Sequence, residues 1–146
     1  MRFTIIALSF LASATAIAQT SLPSGQALSA TLQDGVWCYS EDGGKSCAGF
    51  DEYHADGRLT SCGKLSSDSR PFTASGKYEV KGRAVCAVLS EASENYAVRP
   101  GFRVCVEMLD VTRDRQRYRM TVGDKSAVQT LYRRPKSHKK CPMEGV

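Results

Sequence analysis

The sequence predicts an all-β protein: an antiparallel meander barrel of about seven or eight strands, with a short N-terminal helix and disulfide bonds. Three observations lead to this expectation. Short segments alternate polar and apolar residues, turn-forming residues separate those segments, and six cysteines lie in a chain of 146 residues. Strands joined by short turns usually pair with their chain neighbours, and closing the sheet removes its edges. A barrel is therefore the first expectation and a β-sandwich the second.

The first eighteen residues have the layout of a secretory signal peptide. Arg2 precedes an apolar run, and Ala16-Ile17-Ala18 has the small side chains of a cleavage site. The run is too short to span a membrane and is interrupted by Ser and Thr. We therefore expect residues 1–18 to be removed and residues 19–146 to form one domain. That domain is expected to be periplasmic or secreted and not embedded in a membrane.

Helical periodicity occurs in one segment, SGQALSATLQDG. Ser24 can cap its first turn, Leu28 and Leu32 lie on one apolar side, and Gly35 can end it. The rest of the chain has the composition of short strands. Gly-rich or Asp-Gly turns, such as EDGGK and HADGR, separate them.

Alternation is strongest in GFRVCVEMLDV and RQRYRMTV, where apolar or aromatic residues recur at every second position from Phe102 to Met108 and from Tyr118 to Val122. Applied to the later strands, this periodicity predicts a set of inward-facing side chains. The set consists of Val85, Ala87, Leu89, Phe102, Val104, Val106, Met108, Tyr118, Met120, Val122, Val128 and Tyr132. Such side chains can pack together as a filled core or leave a cavity. If a cavity exists, the candidate ligand contacts are Val104, Val106, Met108, Tyr118, Met120 and Tyr132.

The cysteines are expected to form disulfide bonds, because an exported chain folds under oxidising conditions. They are Cys38, Cys47, Cys62, Cys86, Cys105 and Cys141. Cys86 and Cys105 lie mid-strand on either side of one connection, so a bond between them is plausible. Cys141 is expected to attach the C-terminal tail to the body, with Cys38, Cys47 and Cys62 left open as its partner. No CxxC or HxxxH spacing occurs, so we expect no metal site and no cofactor.

The excess positive charge lies in the basic C-terminal tail, residues 133–146. Acidic and basic residues balance over residues 19–132. A basic segment can attract phosphate, but no aromatic residues are interleaved with it for stacking on bases. We therefore expect a solvated terminus and no nucleic-acid partner.

A single cluster in the body has catalytic residue types, in FDEYHADGR. Alternation places Glu52 and His54 on one face of the strand and Asp51 on the other. An acid and an imidazole on one face can transfer protons, but residues beside a hairpin turn are commonly polar for solvation alone. No nucleophile, base and oxyanion donor are assembled, so we expect a protein that is not an enzyme.

The segment Gly35-Val36-Trp37 follows the predicted helix and enters the first strand, and Arg133 or Arg134 closes the last strand. This arrangement resembles the lipocalin pattern over about residues 26–134. The resemblance implies that the tryptophan plugs one end of the barrel and that one of the two arginines packs across the indole. The long helix that usually follows the lipocalin barrel and the family's Thr-Asp-Tyr motif are both absent from the sequence, which argues for a trimmed barrel.

Two functions follow as hypotheses. The first is an exported, non-catalytic binding protein that holds a small hydrophobic ligand in the barrel, with tyrosine hydroxyls to orient its polar end. The alternative is an exported inhibitor or immunity-type factor that binds a protein partner through stiffened loops. The candidate surface for that partner comprises residues 66–71 and 91–101, where Tyr96 and Arg99 are of types that often dominate interface energetics.

Overall fold

The computed structural model describes residues 22–64 and 70–138. The elements follow one another as α1 (Gly25–Gln33), β1 (Val36–Tyr39), β2 (Gly49–Tyr53), β3 (Arg58–Gly63), β4 (Phe72–Lys81), β5 (Ala84–Ala92), β6 (Arg103–Val111), β7 (Arg115–Val122), β8 (Lys125–Arg134) and a 3-10 turn (Lys136–His138). Each strand pairs antiparallel with the next, and β8 pairs with β1 to close the barrel. The barrel expected from the sequence is thus confirmed, and the sandwich is not formed.

The two ends of the barrel differ in how they are covered. We call the end that carries α1 and the turns after β2, β4 and β6 the closed end. The opposite end, with the connections after β1, β3, β5 and β7, is the open end. Helix α1 is fixed at the closed end because the Gly25 amide donates to the Gly82 carbonyl at 2.8 Å. Its apolar side, Leu28 and Leu32, is fully buried.

A continuous apolar core fills the closed end. Its buried members are Leu28, Leu32, Trp37, Tyr53, Leu59, Val85, Met108, Tyr118 and Leu131. Trp37 is completely buried, and its indole Nε1 donates to the Leu32 carbonyl at 2.8 Å. The single donor of the indole is therefore satisfied by the last turn of α1 while its rings cover apolar surface.

The alternation in β6 and β7 predicts their faces correctly. Val106 lies opposite Met120, and Met108 lies opposite Tyr118, so all four side chains share the inner face. Val85 and Ala87 lie opposite Val106 and Val104 on the other side of β6 and also face inward. Directly paired residues of an antiparallel sheet point to the same face, which is why one correct assignment carries across the sheet.

The expectation for β8 is wrong by one residue. Tyr132 lies opposite Cys38 and packs on the outer face with Val36, Cys38 and Phe50. Val128 also faces outward and is 49% exposed. The inward residues of β8 are Ala127, Gln129 and Leu131, because they pair with Met120, Tyr118 and Gln116 of β7. A shift of one residue exchanges the two faces of a strand.

Phe102 and Val122 are the two members of the expected inner set at the ends of β6 and β7 nearest the open end. Phe102 precedes β6 and is 66% exposed at the rim of the open end, so its assignment to the packed interior is wrong. The side chain of Val122 lies outside the described part of the structure.

The disulfide bonds join neighbouring segments. Cys86 and Cys105 face each other across β5 and β6 and are bonded, as the sequence predicts. Cys38 is bonded to Cys47 across the β1–β2 connection. Cys62 also takes part in a disulfide bond. Cys141 lies outside the described residues. The first 21 residues also lie outside them, so the structure does not bear on the expected signal peptide.

A β-bulge interrupts the pairing of β4 with β5 between Ser75 and Gly76. At Gly76 the neighbouring strand comes so close that a Cβ atom would clash with the Val88 carbonyl oxygen. Glycine is required here for close backbone approach rather than for a special backbone angle.

Within residues 22–64 and 70–138, no helix is both long and apolar enough to cross a membrane. Over the same ranges, the structure contains no group of three or more His, Cys, Asp or Glu side chains placed to hold a metal ion.

Candidate functional site at the open end of the barrel

The wall of the barrel is split on both sides of the β7–β8 hairpin at the open end. The register of β6 with β7 begins at Val106 and Met120, so residues 103–105 pair with β5 alone. On the other side, β1 ends at Tyr39 opposite Leu131, so residues 125–130 of β8 pair with β7 alone. Strand pairing is therefore incomplete on both sides of this hairpin at the open end.

Inward-facing side chains beside these gaps are not fully covered. Val104, Val106 and Met120 are partly exposed although they point toward the barrel axis, and Ala127 and Gln129 are exposed. Side chains on the same inner face at the closed end, such as Met108 and Tyr118, are buried. Solvent therefore reaches apolar interior surface beside these gaps. Small molecules bind most often at such concave apolar surfaces.

A buried carboxylate lies beside this apolar surface. Asp51 faces inward because it pairs with Trp37 on one side and with Ser61 on the other. Its side chain accepts a hydrogen bond from the Tyr39 hydroxyl at 2.5 Å and a second from the Ser61 hydroxyl. Asp51 is only 6% exposed and Ser61 is 1% exposed.

Four tyrosines from different elements interact electrostatically with Asp51, and one of them, Tyr39, also donates a hydrogen bond to it. They are Tyr39 of β1, Tyr53 of β2, Tyr96 of the β5–β6 connection and Tyr118 of β7. The hydroxyl of Tyr96 interacts with those of Ser61 and Tyr39, and its ring packs against Phe72 with the centroids 5.3 Å apart. The Tyr118 hydroxyl donates to Oε1 of Gln129 at 2.5 Å. We call Asp51, Ser61 and these four tyrosines the tyrosine–aspartate cluster.

The electrostatics of the cluster reflect burial. Desolvation raises the pKa of Asp51 from 3.8 to about 6, although the hydrogen bonds from Ser61 and Tyr39 act in the opposite direction. Burial, followed by the negative charge of Asp51, raises the pKa of Tyr96 to about 12. The same two causes raise the pKa values of Tyr39, Tyr53 and Tyr118 above the usual range. At neutral pH the cluster therefore holds one carboxylate and four neutral phenols.

No positive charge compensates this carboxylate among the described residues. Its interactions there are the two hydroxyl donors and the neighbouring tyrosines, and no lysine, arginine or histidine forms an ion pair with it. Burying a charge without an opposite charge is costly, and such groups are concentrated at functional sites. The arrangement is suited to holding a group that brings a positive charge or hydrogen-bond donors.

The plug at the closed end involves one of the two candidate arginines. Arg133 lies directly opposite Trp37 on the inner face, and its guanidinium donates to the Asp34 carbonyl at 2.6 Å. It also pairs with the Asp34 carboxylate at 2.7 Å. Gly35 permits this approach, because a Cβ there would lie 2.9 Å from Arg133 Nε. Arg134 points outward and donates to the Gly44 carbonyl, so its assignment to the plug is wrong.

The structure separates the six candidate ligand contacts into three groups. Val104, Val106 and Met120 lie at the accessible open end. Met108 and Tyr118 belong to the buried core, although the Tyr118 hydroxyl reaches the tyrosine–aspartate cluster. Tyr132 is on the outer face, so it cannot line the interior.

The residues proposed for a protein partner occupy different environments. Arg99 is exposed on the β5–β6 connection. Tyr96 on the same connection is half-buried and turns toward the barrel interior. A role for either residue in binding a partner stays a prediction.

The polar cluster of β2 is divided between the two faces, as alternation predicts. His54 and Glu52 lie outward, with His54 Nε2 3.9 Å from Glu52 Oε2 and 3.1 Å from Thr60 Oγ1. Asp51 lies inward with the tyrosines. Sequence reasoning separated Asp51 from Glu52 and His54 without saying which face is inner, and it missed the role of Asp51 and the residues Tyr39, Tyr53 and Ser61. The available signal was an acidic residue two positions before Tyr53 on the inner face of a short strand.

No protein-family model and no curated protein sequence matches the chain. A solved structure of a lipocalin-like protein from Bacteroides uniformis ATCC 8492 has a TM-score of 0.46 and 17% sequence identity. The match covers 69% of this chain and 93% of that chain. The architecture here is a closed eight-stranded antiparallel meander barrel with a helix against its tryptophan-containing end, as the sequence predicts.

Proposed function

We propose that the chain is an exported, non-catalytic binding protein that holds a small molecule with an apolar part at the open end of its barrel. The observation that carries this proposal is the contrast between the two ends. Core side chains fill the closed end. Toward the open end, Val106 and Met120 pack against that core but stay partly exposed, as does the inward-facing Val104. Apolar surface kept in contact with water has a cost that a ligand removes.

The site supports binding better than catalysis. The inward Asp51 and the outward His54 lie on opposite faces of the barrel wall, so the carboxylate of this site and the imidazole cannot exchange a proton directly. The hydroxyl of Ser61 donates to Asp51, but no histidine or lysine takes part in that contact. A catalytic serine needs a base that is itself oriented by a third group. Disulfide bonds across β5–β6 and β1–β2 support export, since they persist in oxidising compartments.

Fluorescence of the neutral apolar probe N-phenyl-1-naphthylamine tests this proposal. We expect its emission to rise on mixing with the oxidised protein. Val104→Phe fills the open end and should weaken probe binding about tenfold, because overpacking an apolar site costs about 1–3 kcal/mol. Val128→Phe adds the same group to the outer face and is the matched control. No increase in emission, or equal effects of both substitutions, would count against a site at the open end.

A second candidate function, binding of a protein partner, is favoured by one specific observation. Phe102 is 66% exposed at the rim of the open end, next to the connection that carries Arg99. Exposed aromatic and arginine side chains are common anchors of interfaces. Affinity capture from an envelope fraction with wild-type protein and with a Phe102→Ser, Arg99→Ser variant tests it. A partner retained equally by both would not use this rim.

A further inference from the structure

We propose that the molecule bound at the open end carries a cationic amine, which the Asp51 carboxylate receives between the surrounding tyrosines. This inference rests on the proposed binding function and names the chemical class of its ligand. Three features of the tyrosine–aspartate cluster lead to it: the negative charge of Asp51, the four tyrosines, and the neighbouring apolar side chains on the inner face of the barrel.

The charge of Asp51 calls for a cation rather than another polar group. Its hydrogen-bond donors, the hydroxyls of Tyr39 and Ser61, are neutral, and no basic group of the described residues pairs with it. Removing a carboxylate from water costs far more than two neutral hydrogen bonds return. An ammonium group brings up to three donors and the missing charge, so it offsets this cost in a way that an alcohol cannot.

The tyrosine rings add a second reason for a cation. Four tyrosines of separate elements interact with the same carboxylate, and within residues 22–64 and 70–138 no lysine or arginine side chain pairs with it. The face of an aromatic ring attracts a positive charge, and the attraction grows when water is excluded. Tyrosine hydroxyl oxygens at the same place can orient an ammonium group by accepting hydrogen bonds from it.

The neighbouring surface defines the rest of the ligand. Val104, Val106 and Met120 form an apolar wall on β6 and β7. The hydroxyl of Tyr118 links this wall to the cluster, since its strand partner Gln129 accepts its hydrogen bond and Met120 follows on the same face. A primary amine on an aliphatic or arylalkyl body matches both surfaces.

The affinity for an amine should depend on pH only through the protonation of Asp51. The groups that face it from the packed elements are all hydroxyls: those of Tyr39 (β1), Tyr53 (β2), Ser61 (β3), Tyr96 (β5–β6 connection) and Tyr118 (β7). None of these hydroxyls titrates between pH 5 and pH 7.5, and an aliphatic ammonium has a pKa of about 10.4. A change in amine affinity over this interval therefore reports protonation of the Asp51 carboxylate.

Calorimetric titration with 1-octylamine, 1-octanol and octanoate tests the inference, because the three have eight carbons each and end in a cationic, a neutral and an anionic group. At pH 7.5 we expect octylamine to bind about 10- to 100-fold more tightly than octanol, and octanoate more weakly than octanol. Asp51→Asn should abolish the preference for the amine. Glu91→Gln removes an exposed carboxylate of β5 and should leave it unchanged.

The outcomes separate the inference from the proposed function. Equal binding of octylamine and octanol by the wild type would overturn the cationic ligand and leave a hydrophobic site. Binding of none of the three would overturn both. If Asp51→Asn does not fold, the pH dependence of binding by the wild type tests the inference instead. Its preference for octylamine over octanol should fall as the pH is lowered from 7.5 to 5. An unchanged preference would contradict the inference.

Discussion

Asp51→Asn should change how the stability of the protein depends on pH. Burial raises the pKa of this carboxyl from 3.8 to about 6, so the folded protein binds the Asp51 proton more tightly than the unfolded chain does. The unfolded chain loses the proton first as the pH rises, and the free energy of unfolding therefore falls between pH 4 and pH 7.5. The cost is fully present above pH 6 and absent below pH 3.8. It amounts to about 3 kcal/mol when complete.

Urea unfolding followed by circular dichroism measures this effect in the wild type and in Asp51→Asn. The asparagine keeps an oxygen that can accept the Ser61 hydrogen bond, but its amide nitrogen cannot accept the hydrogen bond from Tyr39. The cost of losing that hydrogen bond does not vary with pH. The other titrating groups are common to both proteins. The stability of the wild type relative to the variant should therefore fall by about 2 to 3 kcal/mol from pH 4 to pH 7.5.

A constant difference between the two proteins over this interval would refute the reasoning, because Asp51 would then titrate alike in the folded and unfolded states. A wild type that gains stability relative to the variant as the pH rises would show that a positive group pairs with the carboxylate. Raising the salt concentration provides a control, since it screens exposed charges more strongly than buried ones.

Three further substitutions test how the barrel is built. Gln116 is completely buried with both polar side-chain atoms unpaired among the described residues, so Gln116→Met should raise the free energy of unfolding by about 1–3 kcal/mol in urea titrations. Gly76→Ala should lower the melting temperature, because its Cβ would clash with the Val88 carbonyl; an unchanged value would show that the bulge yields. Replacing Cys86 and Cys105 together with alanine should cost about 3 kcal/mol, since the bond closes a loop of 19 residues. An equally stable double variant would contradict that value.

The sequence predicts the barrel because its strongest signals are local. Alternation in β6 and β7 orients Val106, Met108 and Met120 without knowledge of any distant contact. The pairing of Cys86 with Cys105 follows from one connection between adjacent strands. Such features depend on neighbours along the chain, which a linear reading contains.

The error in β8 has a physical cause that can be read in its sequence. Apolar residues occupy both parities, as in Ala127-Val128 and Leu131-Tyr132, so alternation does not select a face. The turn between Val122 and Lys125 does select it, because a two-residue turn fixes the register of the hairpin. Counting from the inward Met120 across this turn gives Ala127 as its partner.

The candidate site could not be assembled from the sequence because its members are distant along the chain. Asp51 faces inward because it pairs with Trp37 of β1 and Ser61 of β3, and the sequence does not show these pairings. In the sequence it lies close to a turn, where an acidic residue is expected for solvation alone. Tyr96 belongs to an irregular connection, so no periodicity indicates that its hydroxyl enters the barrel. The same long-range packing makes the carboxylate costly to bury.

NMR of the oxidised, ¹³C-labelled protein, with methyl and side-chain carboxyl spectra recorded on addition of 1-octylamine, tests the central claim most directly, because it locates a ligand and its orientation together. The account predicts shifts of the Val104, Val106 and Met120 methyl groups and of the Asp51 carboxyl carbon, with the outward Val128 methyl groups unchanged. Shifts confined to Val128 and the outer face, or no shifts at saturating amine, would contradict a binding site at the open end of this barrel.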